Sequence, residues 1–519
     1  MDPSIGARAM ILPLTFFGPL LLVAAAVPTR ARSVPRLAEA AGLAALALAL
    51  IGTVQLLLTG PQSLTLAPGI RLGLDAVGAT ISVLVAFVGW IVLRYCRSYL
   101  VGEARAARAQ GGILVALAAV LVLAMAGDLI LIALCLGVIG IAMRDLLLFY
   151  PDRPAARRAA AKFTWVWCAG DAVLVVAVVL TWVAFGTTDL ASINAAATAG
   201  PLPLAAKGAV AALVLVALLK TAAFPVQGWL TEVMEAPTPV SALLHAGIIN
   251  AGGLLLIRTA DLVQAVPGAM AALVLLGGLS ALLGAMVMLT QSAVKTALAW
   301  STVAQMGFLL LQCGLGLWTL ALLHVVAHSL YKAHAFLASG QAVRAVAAAR
   351  RPGPVAVPGA GAVARAFGMA LVLYAVVALV FWAIGGTKSA QALALGAILI
   401  FGTAYLVAQG LADAAPRALT QRTAVASLAT ATGYFGFHLL ADRLWGSSLP
   451  LPPVPGALEW ALIALVLVSF GLIAVAQALF PLWMHHPATA ALRVHLANGL
   501  YINALFDRMI GGFRIARPN

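Results

Sequence analysis

The sequence predicts an all-α membrane protein, a bundle of about 15 transmembrane helices that forms one membrane domain over residues 1–519. Its 519 residues are 63% hydrophobic and only 9% charged, which lies outside the range of ordinary soluble proteins. Apolar runs of roughly 20 residues, the length that crosses the hydrocarbon of a bilayer, recur along the whole chain. They leave no room for a large soluble domain. The sequence therefore predicts that the chain is embedded in a lipid membrane.

The predicted spans follow one another with short connections. They cover 10–27, 37–59, 73–95, 112–126, 128–148, 163–184, 204–224, 239–257, 264–289, 293–313, 315–340, 364–384, 390–410, 424–441 and 457–484. Only Arg8 precedes the first run, whereas Arg30, Arg32 and Arg36 follow it. Because a secretory signal peptide has the reverse charge pattern, we interpret the first run as a helix that is retained.

Basic residues alternate between the two sides of the predicted bundle. Loops after odd-numbered spans, together with the C-terminal segment, hold 23 of the 31 lysines and arginines, and the opposite side holds six. The positive-inside rule then predicts an external N-terminus and a cytoplasmic C-terminus, with a basic cytoplasmic segment at 485–519, in the inner (plasma) membrane of a cell. Since the charge is spread over short loops, we expect no nucleic-acid partner.

The cysteines and motifs argue against chemistry carried by this chain alone. The four cysteines are scattered, without the paired spacing of a metal site or disulfide, and are interpreted as small core residues: Cys96, Cys135, Cys168 and Cys313. No phosphate loop or dinucleotide fingerprint occurs. The sequence therefore predicts a transporter subunit with no metal site and no cofactor of its own, rather than an enzyme.

One apolar run is interrupted by a lysine and then by proline, in "LLKTAAFPVQGWLTEVMEAPTPVSALLHA". Lys220 lies five residues before Pro225, which removes a helical hydrogen bond beside the lysine. A lysine at bilayer depth costs about 2.5–3.5 kcal/mol and calls for a partner or a polar cavity. The pattern predicts a broken helix that lines such a cavity. The alternative is that the lysine side chain extends to the membrane interface.

A second polar group lies in "HVVAHSLYKAHAF". His324, His328 and Lys332 recur every four residues and so share one helix face, with Tyr331 and His334 nearby. Histidine changes charge near neutral pH, so this row can hold and pass protons. Two alternatives remain: a zinc-binding histidine pair, which lacks an evident third ligand, and a structural row of hydrogen-bonded histidines.

Polar residues between these two groups extend a candidate proton pathway. Pro237 and Pro239 are typical of a helix beginning, Glu235 precedes them in the connecting segment, and His245 follows. Lys295 lies at the start of the predicted span 293–313. Together with the lysines and histidines above, His245 and Lys295 complete the predicted polar axis in the middle of the membrane.

Acidic residues are rarer in the apolar runs. Asp75, Asp128 and Asp171 lie within such runs or at their edges. Each is interpreted as a supporting residue, most simply a local salt-bridge partner.

The segments "KTAAFPVQGWLTEVMEAPTPVSALLHA", "KTALAWSTVAQMGF" and "HVVAHSLYKAHAFL" resemble the antiporter-like, proton-translocating subunits of respiratory complex I and of multisubunit cation/proton antiporters. The similarity extends over about residues 70–345. It implies two inverted five-helix repeats with broken helices, here at 112–257 and 264–410. It also implies a proton path through the matching residues Lys220, His245, His324, His328 and Lys332.

The chain departs from that family pattern in several places. Gly137 stands where the family has the glutamate that pairs with the first lysine, and Cys168 stands where it has an arginine. Lys388 is only a weak match to a later lysine. The sequence therefore leaves open which acid serves Lys220.

Other segments, including "RDLLLFYPDRPAARRAAAKF", "HAGIINAGGLLLIR" and "VHLANGLYINALFDRM", look like the membrane subunit of the DAB inorganic-carbon accumulation system. That resemblance implies a large, mostly soluble, zinc-containing partner related to β-type carbonic anhydrases. Ion flow through the membrane subunit would then energise conversion of carbon dioxide to bicarbonate by the partner. The alternatives are a proton-pumping arm of complex I or a related hydrogenase, a subunit of a sodium/proton antiporter, and a degenerate channel that only anchors its partner.

Overall fold

The computed structural model describes residues 13–341, 359–385, 388–410, 417–483 and 486–509. In these residues, 12 helices are long and apolar enough to cross a bilayer. Further helices at Leu204–Lys220, Ala390–Gly410 and Arg417–Trp445 coincide with predicted spans. The helical membrane bundle is therefore confirmed, while the number of spans and the division into two repeats stay predictions.

The helices follow the predicted runs in order. The first six are α1 (Phe17–Ala31, after a 3-10 turn at Leu14–Phe16), α2 (Pro35–Thr59), α3 (Ala76–Tyr99), α4 (Ala106–Ala124), α5 (Leu129–Leu147) and α6 (Pro154–Phe185). The next six are α7 (Leu190–Ala199), α8 (Leu204–Lys220), α9 (Gly228–Thr231), α10 (Thr238–Ala246), α11 (Ala251–Arg258) and α12 (Ala260–Gln264). Several of these are short because the chain is broken repeatedly between Lys220 and Pro267.

Ten further helices follow in the remainder of the described chain, separated by short irregular connections such as residues 446–456. These helices are α13 (Pro267–Met288), α14 (Val294–Gly314), α15 (Trp318–Ala338), α16 (Ala360–Gly385), α17 (Ala390–Gly410), α18 (Arg417–Trp445), α19 (Ala457–Ala478), α20 (Phe480–Trp483), α21 (Pro487–Ala497) and α22 (Ile502–Met509). The predicted basic C-terminal segment at 485–519 thus contains two short helices, and its last ten residues lie outside the described part of the chain.

One element departs from the all-α prediction. Strands β1 (Gln62–Ala67) and β2 (Ile70–Leu74) form an antiparallel hairpin between α2 and α3. Gly69 has φ +74°, which the turn between the strands requires and which glycine adopts without strain. The alternation of apolar residues in "SLTLAPGIRLGL" is a strand signal, but it is short beside the two long apolar runs that flank it.

Cysteine burial corrects a second expectation. Cys96, Cys135 and Cys313 are buried as predicted, but Cys168 is exposed on the outer face of α6. Its neighbours on that face are large and apolar, among them Trp165 and Val175. A face of this kind is suited to lipid or to another subunit.

Ion pairs mark the two ends of the bundle. The end that we call the basic side carries the pairs Arg97–Glu39, Arg108–Asp145 and Arg153–Glu235. The opposite side carries Arg71–Asp189, with 2.7 Å between Nη1 and Oδ1, and Arg258–Asp75. Exposed pairs of this kind contribute about 0–1 kcal/mol each. Their value here is that they define two polar ends, between which the buried polar residues lie at membrane depth.

Helices α13 and α14 pack in direct backbone contact. A Cβ added to Gly277 would lie 2.6 Å from the backbone nitrogen of Leu311 and 2.7 Å from the carbonyl oxygen of Gly307. Because lipid chains are as apolar as leucine, helices in membranes associate largely through such close packing of small residues. This rigid pair supports both the broken segment after α8 and the histidine-bearing helix α15.

Candidate ion-translocation site

The first broken helix ends at its lysine. Helix α8 finishes at Lys220, and residues 221–227 form an irregular segment that contains Pro225, as the sequence predicts. The backbone N–H of Phe224 donates to Ser280 Oγ at 2.9 Å, and the indole of Trp229 donates to the carbonyl oxygen of Leu219 at 3.1 Å. These bonds satisfy backbone groups that the break would leave unpaired.

Lys220 is fully buried and is held by helix α6. Its Nζ donates to Asp171 Oδ1 at 2.5 Å and to the carbonyl oxygen of Trp167 at 2.9 Å. The ammonium also lies 3.8 Å from the centroid of the Trp167 ring, a cation–π contact. A Cβ on Gly170 would be 2.9 Å from Lys220 Cε, so glycine at this position lets the lysine side chain lie against α6.

Asp171 therefore supplies the acid that the sequence left unassigned. Gly137 lies on α5, and a Cβ there would have nothing within 4 Å, so the place that holds a glutamate in the family is open. Trp167 lies between the two positions, because its indole donates to the carbonyl oxygen of Leu136 at 2.9 Å and its ring covers Lys220. The carboxylate thus reaches the lysine from α6 instead of from α5.

A second buried group lies where α10, α14 and α15 meet. His245 is fully buried, with Nδ1 3.0 Å from Thr302 Oγ1 and its ring stacked on Phe336 at a centroid distance of 4.3 Å. Pro237 is the N-cap residue of α10 and Pro239 lies in its first turn, as predicted. Helix α10 is short, so it brings His245 into the bundle interior within three turns of that start.

The histidines of α15 face glutamines of α14. His328 Nδ1 lies 2.9 Å from Gln305 Oε1, and His324 Nδ1 lies 2.7 Å from Gln312 Oε1. The two imidazole rings are 5.9 Å apart between centroids. The other nitrogen of His328, Nε2, lies 3.0 Å from the carbonyl oxygen of His245.

This geometry accommodates both protonation states of His328. A carbonyl oxygen only accepts, so Nε2 of His328 donates to His245 in either state. Its Nδ1 then donates to the Gln305 oxygen when the ring is charged, or accepts from the Gln305 amide when the ring is neutral, because the amide group can reverse. His328 can therefore gain or lose a proton without losing a hydrogen bond.

The two remaining lysines of the predicted path also contact backbone oxygens. Lys332 is fully buried and its Nζ donates to the carbonyl oxygen of Leu298 at 3.1 Å. Lys295, at the start of α14, donates to the carbonyl oxygen of Ala236 at 3.2 Å. Leu298 lies one turn before Thr302 on α14, so Lys332 lies close to the His245 pair.

Several predicted residues lie away from this buried row. His334 and Tyr331 are exposed, on the other face of α15. Asp75 and Asp128 accept from the backbone N–H groups of Gly78 and Ile130 and so cap α3 and α5. Glu235 pairs with Arg153 at the basic side. The structure brings together Lys220 with Asp171, and His245 with His324, His328 and Lys332.

A third polar group near the opposite side includes two residues that sequence reasoning missed. Lys388 Nζ lies 2.7 Å from Asp442 Oδ2, and His438 Nε2 lies 3.5 Å from the same oxygen. Thr319 of α15 donates to Asp442 Oδ1 at 2.9 Å. His438 and Asp442 are four residues apart on α18, a spacing that could have identified them.

A cavity of about 370 Å³ opens on the opposite side of the bundle. Its walls include both ion pairs of that side and the half-buried Asp261. Burial raises the pKa of Asp261. Burial would also raise the pKa of Asp189, but hydrogen bonds from Ser192 and Arg71 outweigh it and lower the pKa. Both arginines that line the cavity are paired with carboxylates, so no unpaired arginine or lysine remains among the described residues of its walls.

Comparisons with known proteins agree with this architecture. A family model described as "NADH:quinone oxidoreductase/Mrp antiporter, TM" matches residues 126–351, which contain both buried groups on α6–α15. The chain is 34% identical over 511 residues to "Probable inorganic carbon transporter subunit DabB2" of Halothiobacillus neapolitanus, covering 94% of this chain and 92% of that protein.

Two further comparisons extend the likeness. The chain is 40% identical over 262 residues to "Probable inorganic carbon transporter subunit DabB" of Hydrogenovibrio crunogenus, covering 50% of this chain and 51% of that protein. A subunit in the solved Mrp complex from Dietzia sp. shares the fold with a TM-score of 0.57 at 22% identity, covering 97% of this chain and 58% of that one.

Proposed function

Because the chain belongs to the family of DabB-type inorganic carbon transporter subunits, we propose that it is the proton-translocating membrane subunit that energises uptake of carbon dioxide or bicarbonate by a partner. The partner is a large, mostly soluble, zinc-containing protein related to carbonic anhydrases. The zinc chemistry lies in that partner, and this chain works without a cofactor of its own.

The observation that carries the proposal is the buried pair of Lys220 and Asp171. A fully buried lysine is costly in a membrane, and here one carboxylate and one aromatic ring compensate its charge. When Asp171 takes up a proton, the attraction to the ammonium is lost and Lys220 is free to release its own proton towards the interior. Reprotonation of Lys220 and loss of the proton from Asp171 restore the pair.

The histidine row supports the next step. Lys332 and His245 receive the proton that Lys220 releases. His328 then passes a proton to His324 along α15. The Gln305 side chain allows His328 to change its protonation state without loss of a hydrogen bond, and Gln312 is the matching partner of His324. His245 Nε2 is buried and has no hydrogen-bond partner within the described part of the chain, so this nitrogen can exchange a proton with an internal water.

The third group provides the outlet. Helix α15 carries Thr319 as well as the histidines, and Thr319 donates to Asp442 of the Lys388 group. A proton that reaches His324 is therefore one and a half helical turns from that group. Lys388 and Asp442 release it on the opposite side of the bundle.

The orientation and location follow from charge. We assign the basic side to the cytoplasm, with the N-terminus outside, in the inner membrane. Protons then leave or enter the cytoplasm next to Arg158, near the place where a cytoplasmic partner would bind. The coupling ion in this proposal is the proton, because histidine and lysine exchange protons and do not ligate Na⁺ well.

The test is purification followed by transport. Affinity purification of the chain from membranes is expected to yield one large zinc-containing protein, identified by mass spectrometry and metal analysis. Lys220→Ala is expected to abolish inorganic-carbon accumulation while that partner still copurifies. Wild-type uptake in Lys220→Ala, or uptake that persists after a protonophore collapses the proton gradient, would overturn the proposal.

A second candidate function is favoured by the matched family model, whose description names NADH:quinone oxidoreductase and Mrp antiporter. In that case the chain moves protons for a redox complex or a cation antiporter. Copurification of flavin or iron–sulfur proteins would favour the redox complex. Salt-sensitive growth of a deletion strain, with normal growth in ambient air, would favour the antiporter.

A further inference from the structure

A cluster of charged residues lies at the basic end of α6, apart from the groups above. Lys162 has a side chain that is 0% exposed, and its Nζ lies 2.9 Å from Glu232 Oε1 and 2.6 Å from Asp507 Oδ1. Arg158 contacts the same two acids, at 3.3 Å and 2.5 Å. Among the described residues, the cluster thus contains two cations and two carboxylates in direct contact.

This cluster joins the C-terminal helix α22 to the broken segment, by which we mean residues 221–237 between α8 and α10, including the short helix α9. Asn503 of α22 donates to Glu232 Oε1 at 2.5 Å and accepts from Lys162. A Cβ on Gly228 would be 3.0 Å from Lys162 Nζ and would collide with Asn503, so a side chain there would displace Asn503 from the cluster. Glu232 follows Lys220 by 12 residues within the same broken segment.

A layer of aromatic rings separates this cluster from Lys220. Phe163, Trp167 and Trp229 are almost fully buried, and their ring centroids lie 5.1 to 6.1 Å apart. Trp167 belongs both to this layer and to the Lys220 site. Along α6, Lys162 and Asp171 are about 14 Å apart, which is longer than one direct proton transfer. The layer thus places packed aromatic rings between an acid near the basic surface and the buried pair.

We propose that Glu232 is the proton-exchange residue at the basic-side entrance to the Lys220–Asp171 pair, and that Lys162 and α22 position it. The proposal rests on the proposed function. Glu232 keeps 20% of its side chain exposed, so its carboxylate is accessible from the aqueous phase. Protonation of its carboxylate weakens the bonds to Lys162 and Arg158. The broken segment that carries Trp229 then moves away from α6 and opens the aromatic layer.

The experiment compares two glutamates of the same segment in the full complex reconstituted into liposomes. Glu232→Gln keeps the shape and, through its amide oxygen, the bonds from Lys162 and Asn503, but it loses the contact with Arg158 and cannot take up a proton. It is expected to slow potential-driven proton uptake from the basic side at least about tenfold. Glu235→Gln is the matched control, since Glu235 also pairs with an arginine but is 40% exposed at the rim. Glu232→Asp is expected to restore most of the flux.

An infrared difference spectrum on acidification gives a readout independent of transport. The wild type is expected to show a carboxyl band that Glu232→Gln lacks and Glu235→Gln retains. Wild-type flux in Glu232→Gln, or a carboxyl band that is unchanged in that variant, would overturn the role of Glu232 as the entrance. The proposed function would stand in that case if Lys220→Ala still abolished flux. Absence of flux in the wild-type complex would instead remove the proposed function, and the entrance with it.

Discussion

Asp171 Oδ1 lies 2.5 Å from Lys220 Nζ, so the buried lysine of the first broken helix has its acid on α6. The family resemblance leads one to expect that acid on α5, at Gly137. The pair thus keeps a lysine and a carboxylate in contact while it changes the helix that carries the carboxylate. Whether a carboxylate at position 137 can replace Asp171 can be tested by moving the acid from α6 to α5.

Asp171→Asn is expected to abolish proton-coupled carbon accumulation, because a neutral amide neither compensates the ammonium nor takes up a proton. Gly137→Glu in the same chain is expected to restore part of it. The space beside Gly137 is open, and the Trp167 ring contacts both the neighbouring carbonyl of Leu136 and Lys220. Uptake by cells of both variants measures this, with complex yield as the control for assembly. Full uptake in Asp171→Asn alone would show that the pair is structural.

The two faces of α15 allow a matched comparison. His328→Gln removes a titratable group from the buried row and is expected to lower proton flux about tenfold or more. His334→Gln changes the same residue type on the exposed face of the same helix, and its flux is expected to equal that of the wild type. Flux into liposomes measures both. Equal loss in the two variants would contradict a path confined to the buried face.

The Lys388–Asp442 group is expected to affect release on the opposite side. Lys388→Met leaves Asp442 without its lysine, so proton release to that side is expected to slow while binding of the partner is unchanged. Lys207→Met removes an exposed lysine near the start of α8, on the predicted same side of the membrane, and serves as the control. A pH-sensitive dye on the release side measures the rate. An unchanged rate in Lys388→Met would place the outlet elsewhere.

Packing of α13 on α14 predicts a stability difference between adjacent glycines. Gly277→Val places a side chain against the backbone of α14 and is expected to destabilise the bundle by about 1–3 kcal/mol or more. Gly278→Val is expected to be nearly neutral, because a Cβ there has nothing within 4 Å. Thermal unfolding of the purified protein in detergent, followed by tryptophan fluorescence, gives Tm for each. Similar Tm values for the two variants would contradict the close contact.

The sequence alone determined the features that depend on short stretches of chain. Apolar runs predicted the membrane bundle, Pro225 predicted the break after Lys220, and the four-residue spacing predicted the common face of His324, His328 and Lys332. Hydrophobicity, proline geometry and helical periodicity act within a few residues, so they can be read directly from the chain.

Tertiary structure decided which side chains meet. Asp171 and Lys220 are 49 residues apart in sequence, and Asn503 and Glu232 are 271 apart. The glutamines that face the histidines lie on α14, and Asp442 reaches Lys388 from α18. Sequence spacing carries no information about which helices become neighbours, because that choice depends on close packing such as that of Gly277 against Gly307. The residues that give the buried lysine its ion pair, and the histidines their hydrogen-bond partners, are therefore determined only when the bundle assembles.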